Sequence, residues 1–243
     1  MPRSSVFGPV VLALAVLGAL VLACAGLGYR VGLWGLKPAL GMLGASALVA
    51  GAAIVLALFG LARAAMAGSW SAAVVALLAL LIGAGTAAVP LGMRRAAQSV
   101  PFIHDITTDL DRPPEFAALR AARERSPNGA AYGGPAIARL QAQGYPDLRS
   151  LQLALPPDQA FQRAEAAAVA LGWTIAAAVP AEGRLEASDT SRWFGFVDDV
   201  VVRVSPEPGG SRVDVRSASR VGQSDLGVNA KRIGAFLAKL SVR

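Results

Sequence analysis

Towards the C-terminus, Asp198, Asp199, Arg203, Asp214, Arg216, Arg220 and Asp225 form the one cluster of residues whose types and spacing could do chemistry together. Arg203 is out of phase with Val202 and Val204, so in a strand it points away from them. Asp214 and Arg216 share a face by the same period of two, opposite Val213 and Val215. Pairing of the two strands would set arginine and aspartate side by side. Guanidinium forks arranged this way can grip a polar or anionic ligand. The alternative is a solvated sheet face carrying ion pairs, each worth about 0–1 kcal/mol, on which substitution of Arg216 would cost under about 1 kcal/mol. Residues 217–227 are long, polar and glycine-punctuated, and they precede a predicted helix. That helix N-terminus could bind an anion, or Ser224 or Asp225 could simply cap it.

Other chemistries lack their motifs. There is no glycine-rich phosphate loop, no paired His or Cys metal spacing and no Gly-x-Ser-x-Gly elbow. No cofactor or metal is therefore expected. His104 is the single histidine, read as a structural hydrogen-bonding residue or as one that orients a substrate. Cys24 is the single cysteine and lies inside an apolar run, which excludes an internal disulfide and any thiol nucleophile further along. Trp193, Phe194 and Phe196 could pack as core or hold an apolar ligand.

The elements that must position the cluster follow from periodicity. A helix is expected over residues 159–171, opened by Pro157 and Asp158 and stopped by Gly172. Strands are expected over 173–178, 184–190, 196–205 and 212–219, and a closing helix over 229–240, with Ile233, Phe236, Leu237 and Leu240 on one side. Helix, four strands, helix predicts an α+β domain, with an antiparallel four-stranded sheet and flanking helices. Residues 97–150 contain Pro101, Pro113, Pro114 and Pro146 and read as an extended arm. Phe102, Ile103, Ile106, Phe116 and Tyr132 would anchor this arm on the core, and a short helix could form over 115–125. The core of the soluble domain is expected over 151–243.

Residues 1–96 read differently, as a three-span α-helical transmembrane anchor. Apolar runs cover about 7–27, 39–61 and 71–89, the last ending before Pro90, and none contains Asp, Glu, Lys, Arg or His in its centre. Residues 1–99 carry six basic residues and no acid, a net +6, whereas 100–243 carry 17 basic and 16 acidic residues, a net +1. The net charge of +7 thus belongs to the flanks of the spans, where it meets lipid headgroups, and nucleic-acid binding is not expected. Gly44, Gly51, Gly60, Gly83 and Gly85 would let helices approach closely, either each other or a partner membrane protein. Counting flanking charges puts the soluble domain in the cytoplasm by a margin of about one charge.

Three segments of the soluble part are distinctive. They are Ile103-His104-Asp105-Ile106-Thr107-Thr108-Asp109 with Pro113-Pro114, Asp198-Asp199-Val200-Val201-Val202-Arg203-Val204, and Val213-Asp214-Val215-Arg216 running on to Ser224-Asp225-Leu226-Gly227 and Asn229-Ala230. In this order they resemble the domain of unknown function numbered 1499, over roughly residues 100–242. The resemblance implies a bacterial envelope or plastid context, as for many relatives, and supplies no reaction or ligand. It favours a periplasmic domain anchored in an inner membrane, against the charge count. The expected function is a membrane-anchored accessory or ligand-binding protein without catalysis of its own. The alternatives are an enzyme using Asp and Arg groups at the sheet, and a subunit of a larger membrane complex.

Overall fold

The computed structural model describes residues 6–241. By its contacts the chain divides into two units. One comprises the residues up to Arg95 together with Arg192–Gly195; the other comprises Ala96–Ser191 and the residues from Phe196 onward.

The first unit is helical. Helices α1 (Phe7–Arg30), α2 (Leu36–Met66) and α3 (Trp70–Ser99) are each long and apolar enough to cross a membrane. At about 1.5 Å per residue, even the shortest exceeds the roughly 30 Å of bilayer hydrocarbon. The buried side of α2 reads Ala39, Leu43, Ser46, Ala50, Ala53, Ala57, Gly60 and Ala64, a strict alternation of four- and three-residue steps. Small residues on this seam let backbones close in, the packing open to helices in lipid. A Cβ at Gly83 would lie 3.0 Å from Ile54 and one at Gly18 3.3 Å from Val49. Large side chains such as Leu20, Leu48, Val55 and Leu81 project outward instead. The third span does not stop at Pro90: α3 continues through it to Ser99. A proline removes one backbone hydrogen bond without having to end a transmembrane helix. Within this unit Trp193 donates to the Ala23 carbonyl at 3.2 Å and Phe194 packs against Tyr29.

The second unit is α+β, and its sheet has six strands rather than four. They are β1 (Asp105–Thr107), β2 (Leu151–Leu153), β3 (Thr174–Val179), β4 (Arg184–Thr190), β5 (Val197–Glu207) and β6 (Gly210–Ser219). The order is β1-β6-β5-β4-β3, with β2 also on β6, and every pair is antiparallel. β1 pairs with Arg216–Ala218 and β2 with Ser211–Val213, so the two lie end to end along one edge of β6. Thr108 bridges the gap: its N–H donates to the Val215 carbonyl and its hydroxyl accepts from the Val215 N–H, each at 2.9 Å. The helices are α4 (Arg120–Glu124), α5 (Gly134–Gly144), α6 (Pro157–Ala170) and α7 (Val228–Ser241).

The sheet's two faces differ in kind. On one, Leu185, Ala187, Val200, Val202, Val204, Val213 and Val215 meet Phe161, Ala164 and Ala168 of α6 and Ile233, Phe236 and Leu240 of α7 in a single apolar core. Trp173 stacks on Phe236 with 5.0 Å between ring centroids. The other face carries Glu186, Ser188, Asp199, Val201, Arg203, Asp214, Arg216 and Ala218, by the strand register. The reading of this face as solvated does not hold. Glu186, Asp199, Asp214 and Arg216 are all at most 1% exposed, because part of the arm folds over them. Phe116 and Leu119 pack on Val201 and Ala218, and the carboxylate of Glu186 accepts the N–H groups of Ala117, Ala118 and Leu119 at 2.9–3.0 Å.

Candidate functional site

The structure sorts the seven sequence-selected residues into separate networks. Arg216 is 1% exposed. Its Nε and Nη2 donate to the two oxygens of Asp105 at 2.9 and 2.8 Å, and its remaining bonds go to the carbonyls of Pro114 and Ala130. Its fork is thus filled by protein, and it does not stand beside Asp214 in an open groove. Asp199 is gripped from two sides, by Arg123 at 3.0 Å and by Arg220 through two bonds of 2.8 and 2.9 Å, and it also accepts from Ser188. Burial pulls the Arg123 guanidinium below its ordinary value, against the opposing pull of Asp199. Asp198 lies on the apolar face of the sheet, where Arg232 of α7 donates to it at 2.7 Å. Asp225 caps α7: its carboxylate accepts from Gly227 N–H and Asn229 N–H, both at 2.8 Å. Burial raises its pKa, with those N–H bonds opposing.

Arg203 and Asp214 do come together, at directly opposed positions of β5 and β6. They form half of a four-membered cluster completed by Asp109 from the arm and Arg212 from β6. Arg203 Nη2 lies 2.8 Å from both Asp109 and Asp214. Arg212 reaches Asp214 through Nε at 3.1 Å and Asp109 through Nη2 at 3.0 Å. Ser150 donates to Asp214 and accepts from Arg212. The other oxygen of Asp109 accepts the N–H groups of Asp111 and Arg112 at 3.2 and 3.0 Å. Burial pushes the Asp109 carboxyl up, but these N–H groups and the two guanidiniums outweigh it, and its pKa is lowered.

This arrangement leaves donors over. Among the described residues, the Nη1 groups of Arg203 and Arg212 donate to no protein acceptor, and the exposed Arg112 has no acidic partner. Arg203 and Arg212 are about one-third exposed, at 33% and 30%. Arg112, Arg203, Ser205, Arg212 and Asp214 line a cavity of about 290 Å³. A second cavity of about 690 Å³ shares Arg212 and is lined also by Asp109, Tyr145, Leu148, Arg149 and Ser150. The carboxylates hold the guanidiniums in place and leave N–H groups without a protein acceptor on residues that line the cavity, an arrangement suited to a carboxylate or phosphate.

Sequence reasoning missed Asp109, Arg112, Arg149, Ser150 and Arg212. A signal existed for two of them. Arg212 continues the alternation of Asp214 and Arg216, and Asp109 ends the first distinctive segment. His104 contributes through its backbone: its carbonyl accepts from Ser219 N–H and from the Asn229 side chain at 3.0 Å, while its ring Nδ1 is buried without a partner among the described residues. No group of His, Cys, Asp and Glu suited to a metal occurs among the described residues.

These features define a membrane-anchor-type helical unit joined in sequence to an α+β domain with a polar, arginine-rich sheet face. The chain belongs to the family described as Protein of unknown function (DUF1499), whose sequence profile matches residues 105–240. No curated protein and no solved structure matches the chain.

Proposed function

We propose that the protein is a membrane-anchored binding protein of the cell envelope, whose soluble domain takes up a small anionic ligand between Arg112, Arg203 and Arg212. The observation that carries this reading is the pair of unused Nη1 edges on guanidiniums already fixed by Asp109 and Asp214. A fork held in position by protein loses less freedom on binding, so its free donors favour an anion more than mobile arginines would.

Binding of inorganic phosphate, glycerol phosphate and citrate to the detergent-solubilised full chain, followed by calorimetry at low salt, tests the idea. We expect at least one to bind. Arg112→Ala should weaken it about tenfold without changing the unfolding temperature, because Arg112 makes no ion pair among the described residues. If none of the three binds, or Arg112→Ala binds as tightly as wild type, the reading fails.

On the same reading the domain faces the periplasm from a bacterial inner membrane, supported by the envelope context that the family resemblance implies. A C-terminal alkaline phosphatase fusion should then be active, and a silent fusion would put the domain in the cytoplasm. Residence in a larger membrane complex is favoured by one observation. Cβ atoms at Gly44 and Gly51 of α2 would meet nothing within 4 Å, leaving space for another helix. A stoichiometric partner retained through mild detergent would support it.

A further inference from the structure

We propose that the cleft where α1 and α3 begin and α2 ends is a seat for one anionic phospholipid, independent of the arginine site on the sheet. The cleft has a volume of about 640 Å³, and its walls are mainly apolar, with Phe7, Val11, Leu56, Gly60 and Val75 among them. Among the described residues, Arg63 is the only charged one lining it. Its guanidinium lies 5.7 Å from the centre of the Phe7 ring and 6.0 Å from that of Phe59, so two aromatic faces hold the charge at the cleft. Residues 1–99 contain no Asp or Glu, so nothing in the helical unit up to Arg95 can neutralise Arg63. The same cleft is lined by Ser69 and Ser71, and the Ser69 hydroxyl accepts the Ala72 N–H at 3.4 Å. The start of α3, a helix of 30 residues, adds the positive end of its dipole. Trp70 is 82% exposed at this end, as expected of an aromatic side chain at headgroup depth.

The chemistry selects the ligand. A guanidinium, two hydroxyls and a helix N-terminus suit a phosphate, and the apolar walls suit the upper part of an acyl chain. With no Asp or Glu in residues 1–99 to pair with choline or ethanolamine, a headgroup of net negative charge is preferred over a zwitterionic one.

The test uses the full chain exchanged into vesicles of equal parts phosphatidylglycerol and phosphatidylcholine, re-extracted in mild detergent and examined by native mass spectrometry. Wild type should retain one phosphatidylglycerol in preference to phosphatidylcholine. Arg63→Ala should lower that retention at least tenfold, whereas Arg94→Ala, at the other end of α3, should leave it unchanged. Should Arg63→Ala fail to fold, Ala72→Trp serves in its place. Ala72 is an exposed residue lining the cleft, and the indole should fill the space and expel the lipid. Excess inorganic phosphate should not displace the lipid, because the acyl chain contributes to binding. Equal retention of both lipids, displacement by phosphate alone, or undiminished retention in the cleft variants would each overturn the proposal.

Discussion

Arg216 illustrates how ion pairing under the arm divides structural from available charge. With its fork closed on Asp105 and its guanidinium 5.0 Å from the Phe116 ring centre, it is part of the fold. Removing one member of a buried pair strands the other, so Arg216→Ala should cost about 3–5 kcal/mol in urea unfolding. This reverses the small cost expected of a solvated face. Replacing the pair together, Arg216→Met with Asp105→Leu, should recover most of that loss; if it recovers none, the pair's geometry rather than its charge is what the fold needs. Asp109 gives the pH dependence. A carboxyl whose folded pKa lies below its unfolded value contributes stability that is complete above about pH 4 and is lost as pH falls through the folded pKa. The unfolding temperature of wild type should therefore drop more steeply than that of Asp109→Asn between pH 4 and pH 2.5, and parallel profiles would count against the assignment. The Arg203–Asp214 pair was legible because both residues lie in strands whose alternation sets their facing. The partners Asp105, Asp109 and Arg123 were not, because they come from the arm, distant in sequence, and no local period announces which carboxylate meets which guanidinium.

At the scale of elements, the three-valine run at 200–202 in β5 already departs from the alternation of a half-exposed strand. A strand buried on both faces reads as a continuous apolar run, and Val200, Val201 and Val202 are each 1% exposed. The arm supplies that second cover. Strand β1 in the arm and β2 just after it span three residues each, too short for periodicity to show, which is why four strands rather than six could be read from the sequence. The free edge of β1 is closed by a side chain: Thr107 N–H donates to Gln141 Oε1 at 2.9 Å, and Gln141 Nε2 donates back to the Thr107 carbonyl. An amide side chain thus stands in for a further strand and blunts an edge that would otherwise be open to pairing. The turn before β4 depends on Gly183, whose φ is +60° and whose carbonyl accepts Val204 N–H at 2.8 Å. A Cβ there would lie 2.0 Å from the Val204 carbonyl oxygen, so the turn cannot relax without breaking register. Gly183→Ala should destabilise the domain by at least about 2 kcal/mol. The same substitution at Gly129, also of positive φ but with open space around it, should cost only the smaller backbone strain. Equal losses in urea titrations of the two variants would show that the close approach does not matter.

For the whole molecule, the two units obey different solvents, and the partition of charge between them follows. The first turns its large apolar side chains outward and seals small residues inside, which suits lipid. The second keeps its apolar side chains inside and closes its buried charges upon one another. Asp105 with Arg216, Arg123 with Asp199, and Asp109 and Asp214 with Arg203 and Arg212 all have both partners within residues 96–191 or beyond 196. Its apolar core, from Ile103 to Leu240, is likewise assembled from this unit alone. A domain that satisfies its buried charges and buries its own core needs no lipid to fold. Residues 96–243, expressed without the three helices, should remain in solution without detergent and unfold in one cooperative thermal transition. Near-ultraviolet circular dichroism should show the fixed environment of Trp173 against Phe236 disappearing at the same temperature as the far-ultraviolet signal. The arm is the sensitive part of this prediction, because Asp105, Asp109 and Arg123 all lie on it. A fragment beginning at residue 151 should therefore fail where the longer one succeeds, exposing Glu186, Asp199, Asp214 and Arg216 on a bare sheet face. If the longer fragment aggregates, or melts without a cooperative transition, the second unit depends on the first for its fold.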